Sequence, residues 1–250
     1  MKLLLMADHA VGQAITQWLL RKFPEDVALI IVTSENDIWN TAQDANVPVS
    51  VFKSSKQVSS LVGKLGIEFD IGVLAWWPSI IKKPLLSIPR HGFINTHPSL
   101  LPYNRGKHYN FWALIEQAPF GVSLHMVDDG IDTGDIVAQI PLPYSWEDNG
   151  ETLYAHASEA MVKLFQDTYP TIRTLDFPKR KQNIALGSFH RASELDMASQ
   201  IDLDREYRAR DILNLLRART FTGYPACWFR DGDEIFEVRI AIKRKKNGPL

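Results

Sequence analysis

Residues 94–106 read INTHPSLLPYNRG and place an asparagine and a histidine two positions apart at the end of an apolar run. Two prolines follow within the same stretch, and proline excludes a continued central strand or a helix. The pattern therefore predicts a buried strand over GFINT that ends in a rigid loop. Asn and Pro are also common turn residues, so a plain turn is the alternative interpretation.

The sequence before this stretch alternates strand-like and helix-like patterns. Predicted strands cover KLLLMA, DVALIIVTS, VPVSVF, DIGVLAWW and GFINT, and predicted helices cover VGQAITQWLLRKF and SSLVGKLGI. Apolar strands that alternate with short helices indicate right-handed βαβ crossovers. The expected fold class is α/β, a Rossmann-like, mostly parallel twisted sheet flanked by helices. Ligands bind such sheets at the carboxyl ends of the strands, where Asn95 and His97 are predicted to lie.

The second half of the chain predicts further elements and a smaller region. A helix is expected over HYNFWALIEQ, two strands over FGVSLHMVD and DIVAQIPL, and a long helix over about residues 151–167. The polar connector RTLDFPKRKQN then leads to a helix over REYRARDILNLLRA and a hairpin over ACWFRDGDEIFEVRI, which turns at Asp231-Gly232. We therefore expect a main domain over residues 1–180 and a small C-terminal region, a helix plus a β-hairpin, over residues 181–250.

Composition limits the class of partner and the compartment. The chain has 28 basic and 29 acidic residues, a balance that favours neither a nucleic-acid nor a membrane partner. The basic tail IKRKKNG is interpreted as a solvated end. With Cys227 as its only cysteine, the chain cannot form an internal disulfide or a thiolate-pair metal site. The opening MKLLLMAD is too short for a signal-peptide core, and no run reaches ~18 apolar residues, so a cytoplasmic protein is expected.

The stretch DDGIDTGDI, residues 128–136, places four carboxylates between two predicted strands. It fails the calcium-loop pattern because glycine arrives at the third position and no closing glutamate follows. A solvent-exposed hairpin loop is the simple alternative. Ile131 in the middle of the carboxylates favours a loop that folds inward instead. No metal is expected here.

NTHPSLLPYNRG followed by GVSLHMVDDGIDTGDIVAQ resembles the folate-dependent formyltransferases, over about residues 70–165. That family includes glycinamide ribonucleotide transformylase, methionyl-tRNA formyltransferase and the nucleotide-sugar N-formyltransferases. The resemblance implies that residues 1–180 form the catalytic domain, with Asn95, His97 and Asp132 as catalytic residues. It also implies 10-formyltetrahydrofolate as the formyl donor, released as tetrahydrofolate, and no metal.

Formyl transfer explains these residue types. A neutral amine attacks the formyl carbon and creates a tetrahedral oxyanion, to which the Asn95 amide can donate a hydrogen bond. His97 can donate to the same oxygen when protonated, or help to move the proton of the amine. Asp132 is expected to hold His97 and to relay the proton to the departing folate nitrogen. The resemblance further implies donor contacts by Trp77, Ser79 and Ile81 of LAWWPSIIKK, and by Asp128 and Ile131. Simple core packing is an equally good interpretation of Trp77.

The sequence differs from two branches of the family, and these differences indicate the acceptor. ADHAVGQ has a single glycine, so the phosphate loop of the ribonucleotide enzymes is not expected. The segment after the connector is short and balanced in charge, which disfavours tRNA. LLRARTFTGYPACWF resembles the C-terminal region of the nucleotide-sugar enzymes. The acceptor-binding candidates are Asn104, Arg105, Asn110, Arg217 and Arg219 for polar and diphosphate contacts, and Phe221 and Tyr224 for stacking on a base. The arginines of RART also suit a helix end without any ligand.

The expected function is transfer of a formyl group to the amine of a dTDP- or UDP-linked 4-amino-4,6-dideoxyhexose, for bacterial surface polysaccharide such as the lipopolysaccharide O-antigen. The family resemblance favours a homodimer, with the region 181–250 serving dimerisation, nucleotide binding or both. The alternatives are another folate-dependent formyl enzyme, a formyltetrahydrofolate hydrolase, and a nucleotide-binding module without catalysis.

Overall fold

The structure is a computed structural model that describes residues 1–245 of the 250-residue chain. Its strands are β1 Leu3–Ala7, β2 Val27–Val32, β3 Val49–Val51, β4 Ile71–Ala75, β5 Phe93–His97, β6 Arg105–Gly106, β7 Gly121–Met126, β8 Ile136–Pro141, β9 Phe189–His190, β10 Cys227–Asp231 and β11 Glu234–Val238. Its α-helices are α1 His9–Lys22, α2 Asp37–Asp44, α3 Ser55–Leu65, α4 Tyr109–Glu116, α5 Gly150–Ile172, α6 Glu194–Ala198 and α7 Ala209–Ala218.

The chain forms two compact units. Unit 1 comprises residues 1–97, 122–140 and 158–182. Unit 2 comprises residues 98–121 and 141–157 together with the chain from residue 183 onward. The last change of unit thus falls two residues after the predicted boundary at 180/181. Because unit 2 also takes in two earlier segments, the division into a catalytic domain and a C-terminal region stays a prediction about function.

Seven strands form the central sheet of the fold, in the order β3-β2-β1-β4-β5-β7-β8. The pairs β1–β2, β1–β4, β2–β3 and β4–β5 are parallel, whereas β5 and β7 are antiparallel. Along the chain, β2 and β3 follow on one side of β1, and β4 is then placed on the other side of β1. This reversal of strand order makes the carboxyl edge beside β1 and β4 the expected place for a ligand. The predicted α/β, Rossmann-like, mostly parallel sheet with flanking helices is confirmed.

The apolar strands form the core of unit 1. Every residue of β1, β2 and β4 is buried, as expected for parallel strands covered on both faces. Phe69 and Phe93 are among the largest fully buried side chains and lie in a cluster with residues of these strands. Within the described part of the chain, no helix has the length and apolarity that a membrane crossing requires.

Local signals explain where the observed elements differ from the predicted ones. The helix α2 was not predicted, because it is only eight residues long and buries only Ile38 and Ala42, which is too short an apolar pattern to recognise. Asn36 caps it by accepting from two backbone N–H groups. Helix α3 begins earlier than predicted because the Ser54 side chain caps it at the N–H of Gln57. The short elements β6, β9 and α6 were also not predicted.

The C-terminal helix and hairpin are present in unit 2. The helix α7 begins at Ala209, four residues after the start of the predicted helix. Strands β10 and β11 pair in antiparallel register from Cys227↔Val238 to Asp231↔Glu234. Gly232 has φ +57 in the intervening turn, a conformation that favours glycine. The hairpin is therefore confirmed in place, but its turn lies at Gly232-Asp233, one residue after the predicted Asp231-Gly232, because Asp231 still pairs with Glu234.

Candidate active site

Strand β5 presents Asn95 and His97 on one face. Asn95 and His97 are two positions apart, so their side chains point to the same side of the sheet. The intervening Thr96 points the other way, where its Oγ1 donates to the carbonyl of Leu74 at 3.1 Å and accepts from the N–H of Trp76 at 2.8 Å. These bonds fix the end of β5 against the end of β4.

Trp76 has a left-handed backbone conformation with φ +56. For a bulky side chain this conformation is a genuine outlier, and such strain concentrates at functional sites. Trp76 directly follows β4, at the carboxyl edge that the sheet topology favours for a ligand. The strained residue and the predicted catalytic residues therefore occupy the same edge of unit 1.

The loop between β7 and β8 brings Asp132 to His97. One carboxylate oxygen of Asp132, Oδ2, lies 3.5 Å from Nδ1 of His97, and the other, Oδ1, lies 3.5 Å from Nε2 of His125. The side chains of His97, His125 and Asp132 are 6%, 3% and 14% exposed. The structure thus brings together two of the three predicted catalytic residues, His97 and Asp132, and adds a second histidine.

His125 sets the orientation of Asn95. Its Nδ1 lies 2.8 Å from the carbonyl oxygen of Met126, which can only accept, so Nδ1 carries a proton. Its Nε2 then accepts from Nδ2 of Asn95 at 3.1 Å. The antiparallel register places these residues side by side, Asn95↔His125. One N–H of the Asn95 amide is thereby fixed, and the second remains on the same nitrogen for another acceptor.

Asp128 and a glycine shape the loop that carries Asp132. The Asp128 carboxylate accepts from the N–H of Gly130 at 3.1 Å and from Oγ1 of Thr133 at 2.8 Å. Gly134 packs against the carbonyl of Met126 so closely that a Cβ would clash with it. The carboxylate at 128 therefore has a visible role in the turn, and its predicted contact with the donor stays a prediction.

Gln182 supports the same loop from the connector. Its Nε2 donates to the carbonyl of Asp132 at 3.0 Å and to that of Gly134 at 2.6 Å. Two backbone hydrogen bonds between Arg180 and Ile136, at 2.8 and 2.9 Å, add a short bridge next to it. Asp132 itself has φ +54, so these bonds stabilise an uncommon backbone conformation. Sequence analysis did not identify Gln182.

We expect Gln182→Leu to lower kcat by roughly ten-fold while the KM for the acceptor stays close to the wild-type value. Losing two hydrogen bonds at about 1 kcal/mol each would relax the loop and displace the Asp132 carboxylate. Steady-state kinetics with the donor saturating would measure the split between kcat and KM. Lys181→Leu, a change at the exposed neighbour, serves as the control and should match wild type. An unchanged kcat in folded Gln182→Leu would show that the loop does not need this support.

The residues predicted to contact the formyl donor divide into buried and exposed ones. Trp77 and Ile81 are 8% and 5% exposed and lie in the hydrophobic core of unit 1, where Trp77 meets Phe52 edge-on. Ser79 is exposed. Ile131 is 41% exposed. Core packing thus accounts for Trp77 and Ile81 as placed, and donor contact remains a prediction for all of these residues.

One neighbouring residue deserves addition to the donor candidates. Ile80 is 69% exposed, although the sequence prediction named Ile81 instead. The loop that carries Ile80 is joined to the loop after β7 by an ion pair at 3.8 Å between Lys83 and Asp129. These two joined loops of unit 1 therefore each carry an exposed isoleucine, Ile80 and Ile131, which could contact a flat heterocyclic ligand.

Two of the predicted acceptor contacts have structural roles in unit 2. Asn104 is 1% exposed, and its Nδ2 donates to Oε2 of Glu116 at 2.8 Å and to Oγ of Ser188 at 3.3 Å. Asn110 donates from Nδ2 to the carbonyl of Gly150 at 2.7 Å. Each of the two side-chain amides therefore has hydrogen-bond partners within the protein. A role of these amides in substrate binding stays a prediction.

Arg217 is an internal residue of unit 2 rather than an open cation. It is 5% exposed, and its Nε donates to Oδ1 of Asn214 at 3.0 Å. Its Nη1 donates to the carbonyls of Ser145 and Asp148 at 2.5 and 3.0 Å. The guanidinium also lies 4.6 Å from the ring centroid of Trp146. The observed role of Arg217 is therefore to fix the segment before α5, and diphosphate binding by it stays a prediction.

The remaining acceptor candidates are more accessible. Tyr224 is 60% exposed, and its ring packs edge-on against Phe221 with centroids 4.9 Å apart. Arg219 is half-buried and donates from Nε to Oγ of Ser199 at 3.0 Å. Arg105 is half-buried in β6. Among the acceptor candidates in the described part of unit 2, Arg219 and Tyr224 are thus the best placed to contact a ligand.

His108 lies near Arg219 within unit 2. Burial lowers the pKa of His108 below its ordinary value, and the charges of Arg219 and Lys107 lower the pKa further. The imidazole is therefore neutral at pH 7, and protonation becomes favourable only in more acidic solution. The positive charge in this part of unit 2 belongs to the arginine and the lysine.

An amide donor, two imidazoles and a carboxylate at the carboxyl edge of an α/β sheet are the groups of an enzyme that stabilises an oxyanion and moves protons. Residues 10–168 match the family model described as formyl transferase, and residues 194–244 match the model described as the N-formyltransferase dimerization C-terminal domain. The first match covers more than half of the chain. The chain therefore belongs to the formyl transferase family.

Curated relatives fall into two branches of this family. A methionyl-tRNA formyltransferase of Marinobacter nauticus is 28% identical over 211 residues, 84% of this chain and 66% of that protein. A dTDP-4-amino-4,6-dideoxyglucose formyltransferase of Mycobacterium bovis is 29% identical over 156 residues, 61% of this chain and 65% of that protein. The chain spans between 43% and 66% of the length of the methionyl-tRNA enzymes that it matches.

Solved structures with the same fold include several sugar enzymes. A 4-N formyltransferase from Francisella tularensis has a TM-score of 0.81 at 23% identity, covering 98% of both chains. A sugar N-formyltransferase from a Shewanella species has a TM-score of 0.81 at 21% identity, covering 98% and 99% of the two chains. A formyltransferase from Anoxybacillus kamchatkensis, solved with UDP-4,6-dideoxy-4-formamido-L-AltNAc and tetrahydrofolate, has a TM-score of 0.56 at 25% identity, covering 79% and 89%.

Proposed function

We propose that this protein is a sugar N-formyltransferase, which transfers the formyl group of 10-formyltetrahydrofolate to the amine of a nucleotide-linked amino-deoxy sugar. The observation that carries the proposal is the convergence of Asn95, His97 and Asp132 at one buried edge of the sheet. Membership in the formyl transferase family gives this group of side chains its chemistry. The product would enter a bacterial surface polysaccharide, and the enzyme would act in the cytoplasm.

In the proposed reaction Asn95 stabilises the oxyanion. As the amine attacks the formyl carbon, a new C–N bond forms and the carbonyl electron pair moves onto oxygen. One N–H of Asn95 is held by Nε2 of His125, so the amide cannot turn its oxygen toward the site without losing that bond. The other N–H is preorganised as a donor to the negative oxygen. Such preorganised donors contribute about 3–4 kcal/mol to lowering a barrier.

His97 and Asp132 move the proton in the same proposal. The attacking amine becomes cationic and must lose a proton, while the folate nitrogen must gain one as the old C–N bond breaks. The Asp132 carboxylate, 3.5 Å from Nδ1 of His97, stabilises the imidazolium that forms when His97 takes up a proton. The pair can therefore accept a proton from the amine and return it to the departing nitrogen.

The acceptor class rests on the C-terminal part of the chain. The family model matched by residues 194–244 is that of N-formyltransferases, and one curated relative acts on a dTDP-4-amino-4,6-dideoxyglucose. We therefore propose a dTDP- or UDP-linked 4-amino-4,6-dideoxyhexose as the acceptor. We also propose a homodimer in which this segment takes part, since Ile235 and Phe236 of β11 are 58% and 41% exposed.

Asp8 argues against a ribose phosphate at the first helix. Its carboxylate caps α1, accepting from the N–H of His9 at 2.8 Å and from Oγ1 of Thr33 at 2.7 Å. The start of a helix attracts anions, but here the protein's own carboxylate already lies there. A phosphate at the same place would meet like charge. This contact supports a nucleotide-sugar acceptor over glycinamide ribonucleotide.

Methionyl-tRNA is the second candidate acceptor, because the first curated relatives formylate it and align with up to 84% of this chain. Incubation of the protein with 10-formyltetrahydrofolate and a panel of acceptors decides between them. The panel contains dTDP- and UDP-linked amino-deoxyhexoses, glycinamide ribonucleotide and methionyl-tRNA. We expect a nucleotide sugar alone to gain the mass of one carbonyl group. Formylation of methionyl-tRNA with no reaction of any sugar would reverse the assignment.

We expect Arg219→Ala and Tyr224→Ala each to raise the KM for the nucleotide sugar by about ten-fold, from a loss of about 1–2 kcal/mol of binding. Arg219 would contribute charge to the diphosphate, and Tyr224 a stacking surface to the base. The kcat and the KM for the folate donor should change little. Arg208→Ala, at an exposed arginine of the same unit, is the matched control. Unchanged sugar KM values in both variants would remove these residues from the binding site.

A further inference from the structure

Three side chains of unit 1 offer metal-ligating atoms that converge on one point. They are His97, His125 and Asp132, which each offer one imidazole nitrogen or carboxylate oxygen, and these three atoms lie within 4.8 Å of one another. Nδ1 of His97 lies 3.5 Å from Oδ2 of Asp132, and Nε2 of His125 lies 3.5 Å from Oδ1 of the same carboxylate. Zinc bonds of about 2.0–2.1 Å in a tetrahedron place neighbouring ligand atoms about 3.3–3.4 Å apart. Each histidine nitrogen therefore lies about as far from one oxygen of the Asp132 carboxylate as neighbouring ligand atoms lie in a tetrahedral zinc site.

We propose that His97, His125 and Asp132 bind one Zn²⁺ or a similar late first-row divalent ion, and that the bound ion inhibits the enzyme. The site is mostly buried and combines two imidazoles with one carboxylate. Imidazole nitrogen favours zinc, copper and nickel, whereas magnesium and calcium prefer sites made of oxygen atoms. The fourth position would remain open to water. The three ligand residues already lie close together, and the neighbour that must give way to the ion is the Asn95 amide on Nε2 of His125.

The second shell of His125 also suits a metal ligand. Its Nδ1–H donates to the carbonyl of Met126 at 2.8 Å, so the ring nitrogen left with a lone pair is Nε2, which lies 3.5 Å from Oδ1 of Asp132. Metal-binding histidines commonly donate their other ring N–H to a backbone carbonyl in this way. The tautomer that orients Asn95 in the free enzyme is thus the tautomer that a metal requires.

Inhibition follows from competition for the same atoms. The lone pair of His125 Nε2 accepts from Asn95 at 3.1 Å, and an ion on that nitrogen displaces the amide from its position. The ion also neutralises Asp132 and occupies His97, so neither can take part in proton transfer.

Titration of the full-length protein with ZnCl₂ by calorimetry, and with CoCl₂ by visible absorption, tests binding without any assay of formyl transfer. We expect one ion per chain, the intense visible bands of four-coordinate Co²⁺, and no heat with MgCl₂. His125→Gln should weaken zinc binding by at least ten-fold. His156→Gln is the matched control, since His156 also lies near a carboxylate, 3.8 Å from Asp148, but at the surface. Equal zinc affinity in both variants and wild type would overturn the site.

The inhibitory role rests on the proposed function and is tested separately. Zinc at the concentration that saturates the site should abolish formyl transfer, and EDTA should restore the original rate. EDTA alone should leave the rate unchanged. Loss of activity with EDTA that zinc restores would overturn inhibition and make the ion a cofactor. If the protein binds zinc but formylates none of the acceptors, the zinc site is confirmed and the proposed function is wrong.

Discussion

Asn95→Ala lowers the turnover of formyl transfer by about 10²–10³, according to the proposed role of its amide as the oxyanion donor. The side chain is only partly buried and is hydrogen-bonded to His125, so truncation removes little from the apolar core. The KM for either substrate should change far less than kcat, because the lost bond strengthens only in the transition state. Steady-state kinetics with 10-formyltetrahydrofolate and the best nucleotide sugar of the panel measure both quantities. His97→Asn should give a loss of the same order.

Circular dichroism and the melting temperature of Asn95→Ala must match wild type for the comparison to hold. His156→Gln provides a second control, because it changes a polar surface residue away from the proposed chemistry. A well-folded Asn95→Ala enzyme with near-normal turnover would remove Asn95 from the mechanism and leave oxyanion stabilisation to another donor.

Asp132→Asn should reduce kcat by about 10²–10³ as well, for a different reason. The amide keeps the shape of the side chain but cannot stabilise an imidazolium at His97, and it removes the charge that also faces His125. Because the loss concerns a protonation step, the dependence of kcat on pH should change. A purely structural defect would instead lower kcat by the same factor at every pH.

Asp129→Asn is the matched control for this change, because Asp129 lies in the same loop but is 83% exposed and pairs only weakly with Lys83 at 3.8 Å. It should retain wild-type turnover and pH dependence. If Asp132→Asn stayed active and Asp129→Asn did not, the catalytic carboxylate would have to be reassigned within the loop.

The sequence was sufficient to predict the sheet and the placement of two site residues. Uninterrupted apolar runs predicted parallel strands buried on both faces, and the two-residue spacing of Asn95 and His97 put them on one face of β5. Asp132 required the family resemblance, because no local pattern brings it next to a residue 35 positions earlier in the chain. In the structure the antiparallel pairing of β7 with β5 makes that connection.

Long-range contacts explain what sequence analysis missed. His125 lies in β7 with an ordinary strand pattern, and only the register Asn95↔His125 reveals that it orients the amide. Gln182 acts on two carbonyls about 50 residues away, within a connector whose composition predicts only a loop. The cation of Arg217 suggested a diphosphate ligand, whereas its actual neighbours are backbone carbonyls of residues 145 and 148. The composition of a segment does not show whether an arginine donates its hydrogen bonds to the protein itself or to a ligand.

The fate of the formyl carbon tests the central claim most directly. 10-Formyltetrahydrofolate labelled with ¹³C at the formyl group is mixed with the enzyme and a dTDP-linked 4-amino-4,6-dideoxyhexose, and the carbon is followed by NMR. The account predicts a formamide signal on the sugar, formed at least ~10² times more slowly by Asn95→Ala. Label that appears in free formate at the same rate with or without the sugar would contradict the account, because the enzyme would then be a hydrolase.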